Sequence, residues 1–256
     1  MKLSNKQIDF YKKNGHLKIK NVFSKKSLRK LVNFIDEIER FKPQKNKYMI
    51  YFDKVGGVMC KTRTENFLKY HKKFDTFLKK NKVHRIVDQV LGKKSIIFKD
   101  KINWKYPKAK GFEPHQDAQV WEYLYPKIKT FVSLTISIDE TNKRNGSLEL
   151  VSKMNNRGLL GNNKKAIDPN LVKKMKWKRI DTKPGDIIIF DSYTPHRSNK
   201  NFTKKPRRMI YFTYNAKKDG DLRNEYYVNK RKSFPPNLER NSKKLKLLQF
   251  QGLKLF

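Results

Sequence analysis

The hydrophobic period changes near residue 93, and that change limits the folds open to this chain of 256 residues. Before it, apolar residues recur at helical spacing. Ser4 caps a helix predicted over 4–14, with Leu3, Ile8 and Tyr11 on one face, and Gly15 stops it. His16 to Val22 alternates like a strand. Ser24 opens a second helix, in which Leu28, Leu31, Val32 and Ile35 share a face through about Arg40. Residues 64–80 and 82–91 read as further helices, the latter ended by Gly92. Beyond residue 93, short segments of strand character follow at 95–106, 130–139, 147–151, 177–181, 186–190 and 207–214. Asn145-Gly146, Pro184-Gly185-Asp186 and Lys204-Lys205-Pro206 supply turns between them. A helical layer followed by many short strands specifies an α+β chain with a mainly β core, a sandwich or a barrel.

The expected organisation is one domain over 1–240, with the helical layer at about 1–92 and the strand-rich core at about 93–216. Residues 217–256 read as a basic C-terminal extension in which Pro235-Pro236 marks extended chain. Two polar stretches, 41–63 and 155–176, read as loop-rich. Segments so placed can close over a substrate or simply cover the surface.

Composition narrows the partners. The net charge is +39, which attracts polyanions at low salt. The basic residues are spread along the whole chain, whereas a nucleic-acid binder concentrates them in a patch. No specific nucleic-acid partner is therefore expected, and the excess is read as compositional bias. Cys60 is the single cysteine, so there is no intramolecular disulfide and no cysteine-based zinc site. No apolar run approaches the ~20 residues that span a bilayer. A soluble, cytoplasmic protein acting on a small molecule is the expectation.

The chemistry is carried by His115-Gln116-Asp117, with His196 and Arg207 far downstream. Two imidazoles and one carboxylate are the ligand set of a mononuclear non-haem iron site with open positions. On a strand, residues two apart point the same way, so His115 and Asp117 can face one metal while Gln116 turns away. The third ligand must come from another strand, and His196 follows the buried-looking run Ile187–Phe190. The chain then loops back through Pro206, which predicts that 207–214 returns antiparallel and sets Arg207 beside His196. A planar guanidinium suits the far carboxylate of a dicarboxylate cosubstrate. Ser198, two residues after His196, can add a hydroxyl. Arg208 is the rival cation, and spacing favours Arg207.

At these residues the chain resembles the phytanoyl-CoA dioxygenase family of Fe(II)- and 2-oxoglutarate-dependent oxygenases. The resemblance covers most of residues 3–240. It is carried by the opening 3–17, by 98–105, by Gly111 through Asp117, by Asn145-Gly146-Ser147-Leu148, by Pro184-Gly185-Asp186, and by His196-Arg197-Ser198 with Asn201 and Arg207. It implies a double-stranded β-helix (a jelly roll) with N-terminal helices packed on one sheet. It implies that His115, Asp117 and His196 bind iron and that Arg207 and Ser198 hold 2-oxoglutarate. Asn103 and Phe112 resemble positions lining the cosubstrate pocket, and Trp121 and Tyr123 are candidates to wall the substrate pocket. Where the family usually carries Pro-Gly-Ser-His after the hairpin, this chain has Ser152-Lys153-Met154-Asn155. The stretch Tyr226 to Pro236 is similar to a bacterial branch that includes 2-aminoethylphosphonate hydroxylases.

The reaction implied is hydroxylation of an unactivated C–H, with O2 and 2-oxoglutarate consumed and succinate and CO2 released. Halogenation needs an open metal position where Asp117 stands. Oxidative demethylation of nucleic acid belongs to a branch with a second arginine six residues after the first, and position 213 is Thr. A non-catalytic binding protein on the same fold is the remaining alternative.

Overall fold

The computed structural model describes residues 1–128, 130–161 and 167–240, without the side chain of Tyr123. In chain order the elements are α1 (Asn5–Asn14), β1 (His16–Ile19), α2 (Lys25–Glu39), β2 (Met49–Val55), β3 (Val58–Glu65), α3 (Lys72–Lys80), α4 (His84–Leu91), β4 (Ser95–Lys105), β5 (Phe112–His115) and α5 (Ala118–Leu124). There follow β6 (Val132–Ser137), β7 (Leu148–Val151), α6 (Pro169–Lys174), β8 (Trp177–Ile180), β9 (Ile187–Asp191), β10 (His196–Ser198), β11 (Arg207–Ala216) and α7 (Arg223–Ser233). Ser4 and Gln7 form a capping box at α1, and Gly15, at φ 74°, closes it.

Two antiparallel sheets make the core. One has seven strands in the order β1-β9-β6-β11-β4-β3-β2, and the other has four in the order β5-β10-β7-β8. This is the double-stranded β-helix. The larger sheet packs its outer face on α1–α4: Leu31, Ile35, Phe74, Phe77, Val87 and Val90 meet Ile102, Trp104, Leu134, Ile136, Ile210 and Phe212. Between the sheets lie Leu148, Leu150, Ile180, Ile188 and Phe190.

The structure corrects the sequence reading in three places that bear on the site. Residues 41–63 are mostly the hairpin β2–β3, turned by Gly56 and Gly57 at positive φ, which widens the large sheet beside β4. The expected helix over 64–80 shortens to α3 for the same reason, since residues to Glu65 belong to β3. The described part of the C-terminal extension is not appended: α7 buries Tyr226 and Tyr227, and Tyr226 joins an aromatic cluster with Phe98, Trp121, Tyr125 and Phe131. Of the polar stretch 155–176, residues 162–166 lie outside the described ones, as do 241–256 of the extension.

Candidate active site

His115 and His196 are direct cross-strand partners in the pairing of β5 with β10. That register, and not loop geometry, sets their rings 4.1 Å apart. Asp117 arrives differently from the strand-pleat expectation. The strand ends at His115, the chain turns through Gln116, and Asp117 is the N-cap residue of α5, in helical conformation. Packing of the buried Trp121 into the aromatic cluster outweighs continuation of the strand. Gln116, 1% exposed, is fixed by donating to the carbonyls of Gly158 and Tyr193 and accepting from Leu160 N. Its two neighbours are thereby left facing one point.

The ligand atoms of His115, Asp117 and His196 all lie within 4.8 Å of one another. The donor set fits a divalent iron centre. The Nδ1 of His115 is 2.6 Å from the carbonyl of Glu113, and that of His196 is 3.0 Å from the carbonyl of Thr194. Each Nδ1–H therefore donates to a carbonyl, and each Nε2 presents its lone pair to the shared point. Burial lowers both imidazoles, His115 to about 3, so they are neutral ligands at physiological pH. Burial pushes Asp117 up, but His196, His115 and Lys101 outweigh it and keep the carboxyl below its ordinary range. Ser133 of β6 donates to Asp117 Oδ2 at 3.1 Å, which fixes its orientation.

Arg207 stands on the other sheet, at the start of β11, and is not among the residues lining the two cavities beside the triad. The expected return beside His196 does not occur, because β11 crosses over to pair with β4 and β6 while β10 pairs with β5 and β7. Arg207 is 3% exposed, donates to the carbonyl of Gly146 at 3.0 Å, and leaves its Nε without a partner. Among the described residues it has no ion pair. A buried guanidinium without an anion is costly, which fits a site built for a carboxylate. Arg208, by contrast, is paired with Asp139 and Asp36. Ser198 Oγ lies between the sheets, accepting from Lys105 Nζ at 2.8 Å and from Phe112 N at 3.3 Å.

Lys105 is a residue that sequence reasoning missed. It is 4% exposed, lies opposite Arg207 in the pairing of β4 with β11, and donates to Ser198 Oγ and to the carbonyl of Asn199 at 2.6 Å. The available signal was the alternation Lys99-x-Lys101-x-Asn103-x-Lys105, which places four polar residues on one face of β4. Asn103, 6% exposed, has an unpartnered Oδ1 and lines a small cavity with Lys101, Tyr211 and the three metal-facing residues. Phe112 is no core aromatic: it is 37% exposed and lines this cavity and the next one.

A second cavity of about 110 Å³ opens beside His115 and Asp117. Arg63, Lys99, Lys101 and Lys230 line it together with Trp121, Leu124, Tyr226 and Phe234. Burial, and then Lys99, lower the Lys101 ammonium to about 7. Trp121 is both a core residue and a wall of this cavity. Tyr123 lies on the same helix, with its side chain outside the described residues. Asn155, at the departure from the family text, packs at the end of α1 against Gly15 and the carbonyl of Lys12.

A double-stranded β-helix carrying this triad and a buried arginine is a non-haem iron, 2-oxoglutarate-dependent oxygenase. The model of the phytanoyl-CoA dioxygenase (PhyH) family matches residues 11–209. The chain is 33% identical over 246 residues to the methylphosphonate hydroxylase of Gimesia maris, covering 96% of this chain and 93% of that protein. It is 31% identical over 233 residues to the 2-aminoethylphosphonate dioxygenase of uncultured bacterium HF130_AEPn_1, covering 90% and 88%. In fold it is similar to EctD from S. alaskensis, solved with 2-oxoglutarate and 5-hydroxyectoine, at a TM-score of 0.74 and 18% identity over 85% of this chain and 77% of that one. The chain belongs to the phytanoyl-CoA dioxygenase family, and it is an enzyme that uses Fe(II), 2-oxoglutarate and O2 to hydroxylate C–H bonds. Among the described residues, no helix is long and apolar enough to cross a membrane.

Proposed function

We propose that this oxygenase hydroxylates small organophosphonates at carbon. The observation that carries the reading is the cavity beside the triad with Arg63, Lys99, Lys101 and Lys230 among its lining residues. A phosphonate dianion calls for two or more basic groups. The similarity to two phosphonate oxygenases supports the same class.

In this reading His115, Asp117 and His196 hold the iron. Once bound, iron supplies activation of O2 coupled to oxidative decarboxylation of 2-oxoglutarate. Arg207 and Ser198 hold the distal carboxylate, with Lys105 beside them, and Asn103 and Phe112 line the cosubstrate pocket. One oxygen atom enters the substrate C–H to give C–OH, the other enters succinate, and the lost carboxylate leaves as CO2. Apolar Trp121, Leu124 and Phe234 exclude water around the reacting carbon. Ser133 keeps Asp117 turned to the metal.

The test begins with anaerobic titration of the apoprotein with Fe(II) and 2-oxoglutarate, followed by visible absorption. A charge-transfer band is expected in wild type and not in His115→Ala, with far more 2-oxoglutarate needed in Arg207→Ala. Succinate release on admitting O2 should then depend on an added phosphonate. A normal band, with no dependence on any phosphonate of one to three carbons, would remove this substrate class.

A further inference from the structure

Resting on the phosphonate reading, we infer that Lys99 and Lys101 are the anion-binding side of the substrate cavity, and that the cavity selects alkylphosphonates and turns away aminoalkylphosphonates. Of the four cations around it, two already have an anion. Glu65, completely buried, lies 3.3 Å from Arg63 Nε and 2.5 Å from Lys230 Nζ. Lys99 and Lys101 make no direct ion pair among the described residues, although both feel the charges of Glu65 and Asp117 from farther off. Their ammonium groups lie over aromatic rings instead: Lys101 Nζ is 4.5 Å from the centre of Tyr211 and 5.9 Å from that of Phe112, and Lys99 Nζ is 5.6 Å from that of Tyr226. Such contacts hold a cation in place without neutralising it.

The strand explains the division of labour. Lys99, Lys101, Asn103 and Lys105 share the inner face of β4. Lys105 stands with Arg207 and Ser198 at one end, Lys101 borders both cavities, and Lys99 lines the outer one. One strand therefore supplies cationic groups at the cosubstrate end and at the substrate end.

The selection follows from what the outer cavity lacks. Among its described lining residues the only carboxylate is Asp117, a metal-facing residue. The ammonium of an aminoalkylphosphonate would enter among basic side chains with no carboxylate to meet except the metal-facing Asp117, and an unpaired charge in a buried site is costly. A methyl or short alkyl group meets Trp121, Leu124 and Phe234 instead.

The test is calorimetric binding, under anaerobic conditions at physiological salt, to enzyme loaded with Fe(II) and 2-oxoglutarate. Ethylphosphonate is compared with aminomethylphosphonate, and propylphosphonate with 2-aminoethylphosphonate. Each pair differs only in a methyl replaced by an ammonium. Each amine is expected to bind at least tenfold more weakly than its isostere. Lys99→Met and Lys101→Met should each weaken ethylphosphonate at least tenfold, and the Lys→Arg variants should keep most of the binding. The wild-type comparison needs no variant to fold, and circular dichroism checks the others. Amines binding as well as their isosteres would overturn the selection. Unchanged ethylphosphonate binding in both Met variants would overturn the lysine assignment and leave the phosphonate reading standing. If wild type forms the 2-oxoglutarate band but binds no phosphonate, the substrate reading itself is wrong.

Discussion

Burial, and then Arg207 beside it, push the Lys105 ammonium down to about 6. A carboxylate placed against Lys105, Arg207 and Ser198 favours the charged form and raises that value. Above pH 6, binding of 2-oxoglutarate must therefore take up a proton, and affinity falls as pH rises, by at most about tenfold per pH unit. Titrations from pH 6 to 8 are expected to show this slope in wild type and a flat response in Lys105→Met, whose affinity at pH 6 should be clearly weaker. A slope that persists in Lys105→Met would assign the proton to another group. At this scale the chain was legible where chemistry forces residue types. His115 and His196 stood out because a metal demands such ligands, and Arg207 was singled out because a dicarboxylate would call for a buried guanidinium. Asp117 was found with the wrong local geometry, since a two-residue spacing does not distinguish a strand from a strand end followed by a helix. Lys105 was not found, because its place opposite Arg207 is set by pairing of strands that lie about a hundred residues apart.

Among the elements, the Asn145-Gly146 turn joins the two sheets beside Arg207 and Lys105. Gly146 has φ 74°, and its carbonyl accepts from Arg207 at 3.0 Å and from Lys105 at 3.5 Å. A Cβ there would fall 2.1 Å from the carbonyl oxygen of Asn199 and 2.9 Å from Lys105 Nζ. Gly146→Ala is expected to cost about 1–3 kcal/mol in backbone conformation alone, and the clash adds to this. It should lower the melting temperature and raise the 2-oxoglutarate concentration needed for the charge-transfer band. Unaltered cosubstrate affinity would show that the turn does not position Arg207 and Lys105. The turn was visible in the sequence because Asn-Gly is so selective for tight turns. The hairpin β2–β3 was not visible. Its strands mix Lys, Asp and Arg with apolar residues, and their outer halves face solvent, so no clean alternation marks them. The register shift of β4 against β11 at Thr213/Tyr214 is equally silent; Phe98 has no partner in that ladder and packs with Trp121 and Tyr226.

For the molecule as a whole, two long-range electrostatic features follow from the structure. The first ties α7 to the core through Asp100, which is fully buried. Asp100 accepts from Phe67 N and Leu68 N and pairs with Arg223, while its backbone N–H donates to the hydroxyl of Tyr227. Arg223→Met would remove the ion-pair partner of a buried carboxylate, a loss of up to about 3–5 kcal/mol that the donors from Phe67, Leu68 and Tyr227 would reduce. The melting temperature should drop sharply, and the double variant with Asp100→Asn should recover part of the loss. No drop would mean that α7 contributes little to the fold, and hence that Tyr226 and Lys230 are loosely held at the cavity beside His115 and Asp117. The second feature is the charge itself, 62 basic against 23 acidic residues. Their mutual repulsion acts against the compact state, and salt screens it, with a Debye length of about 10 Å at 0.1 M. Raising NaCl from low to physiological concentration is expected to raise the melting temperature. Over the same range, binding to heparin or duplex DNA should fall away steeply, because scattered lysines form only screened, non-specific contacts. Tight DNA binding that survives physiological salt would require an organised basic surface, and the excess charge would then be a functional feature in its own right.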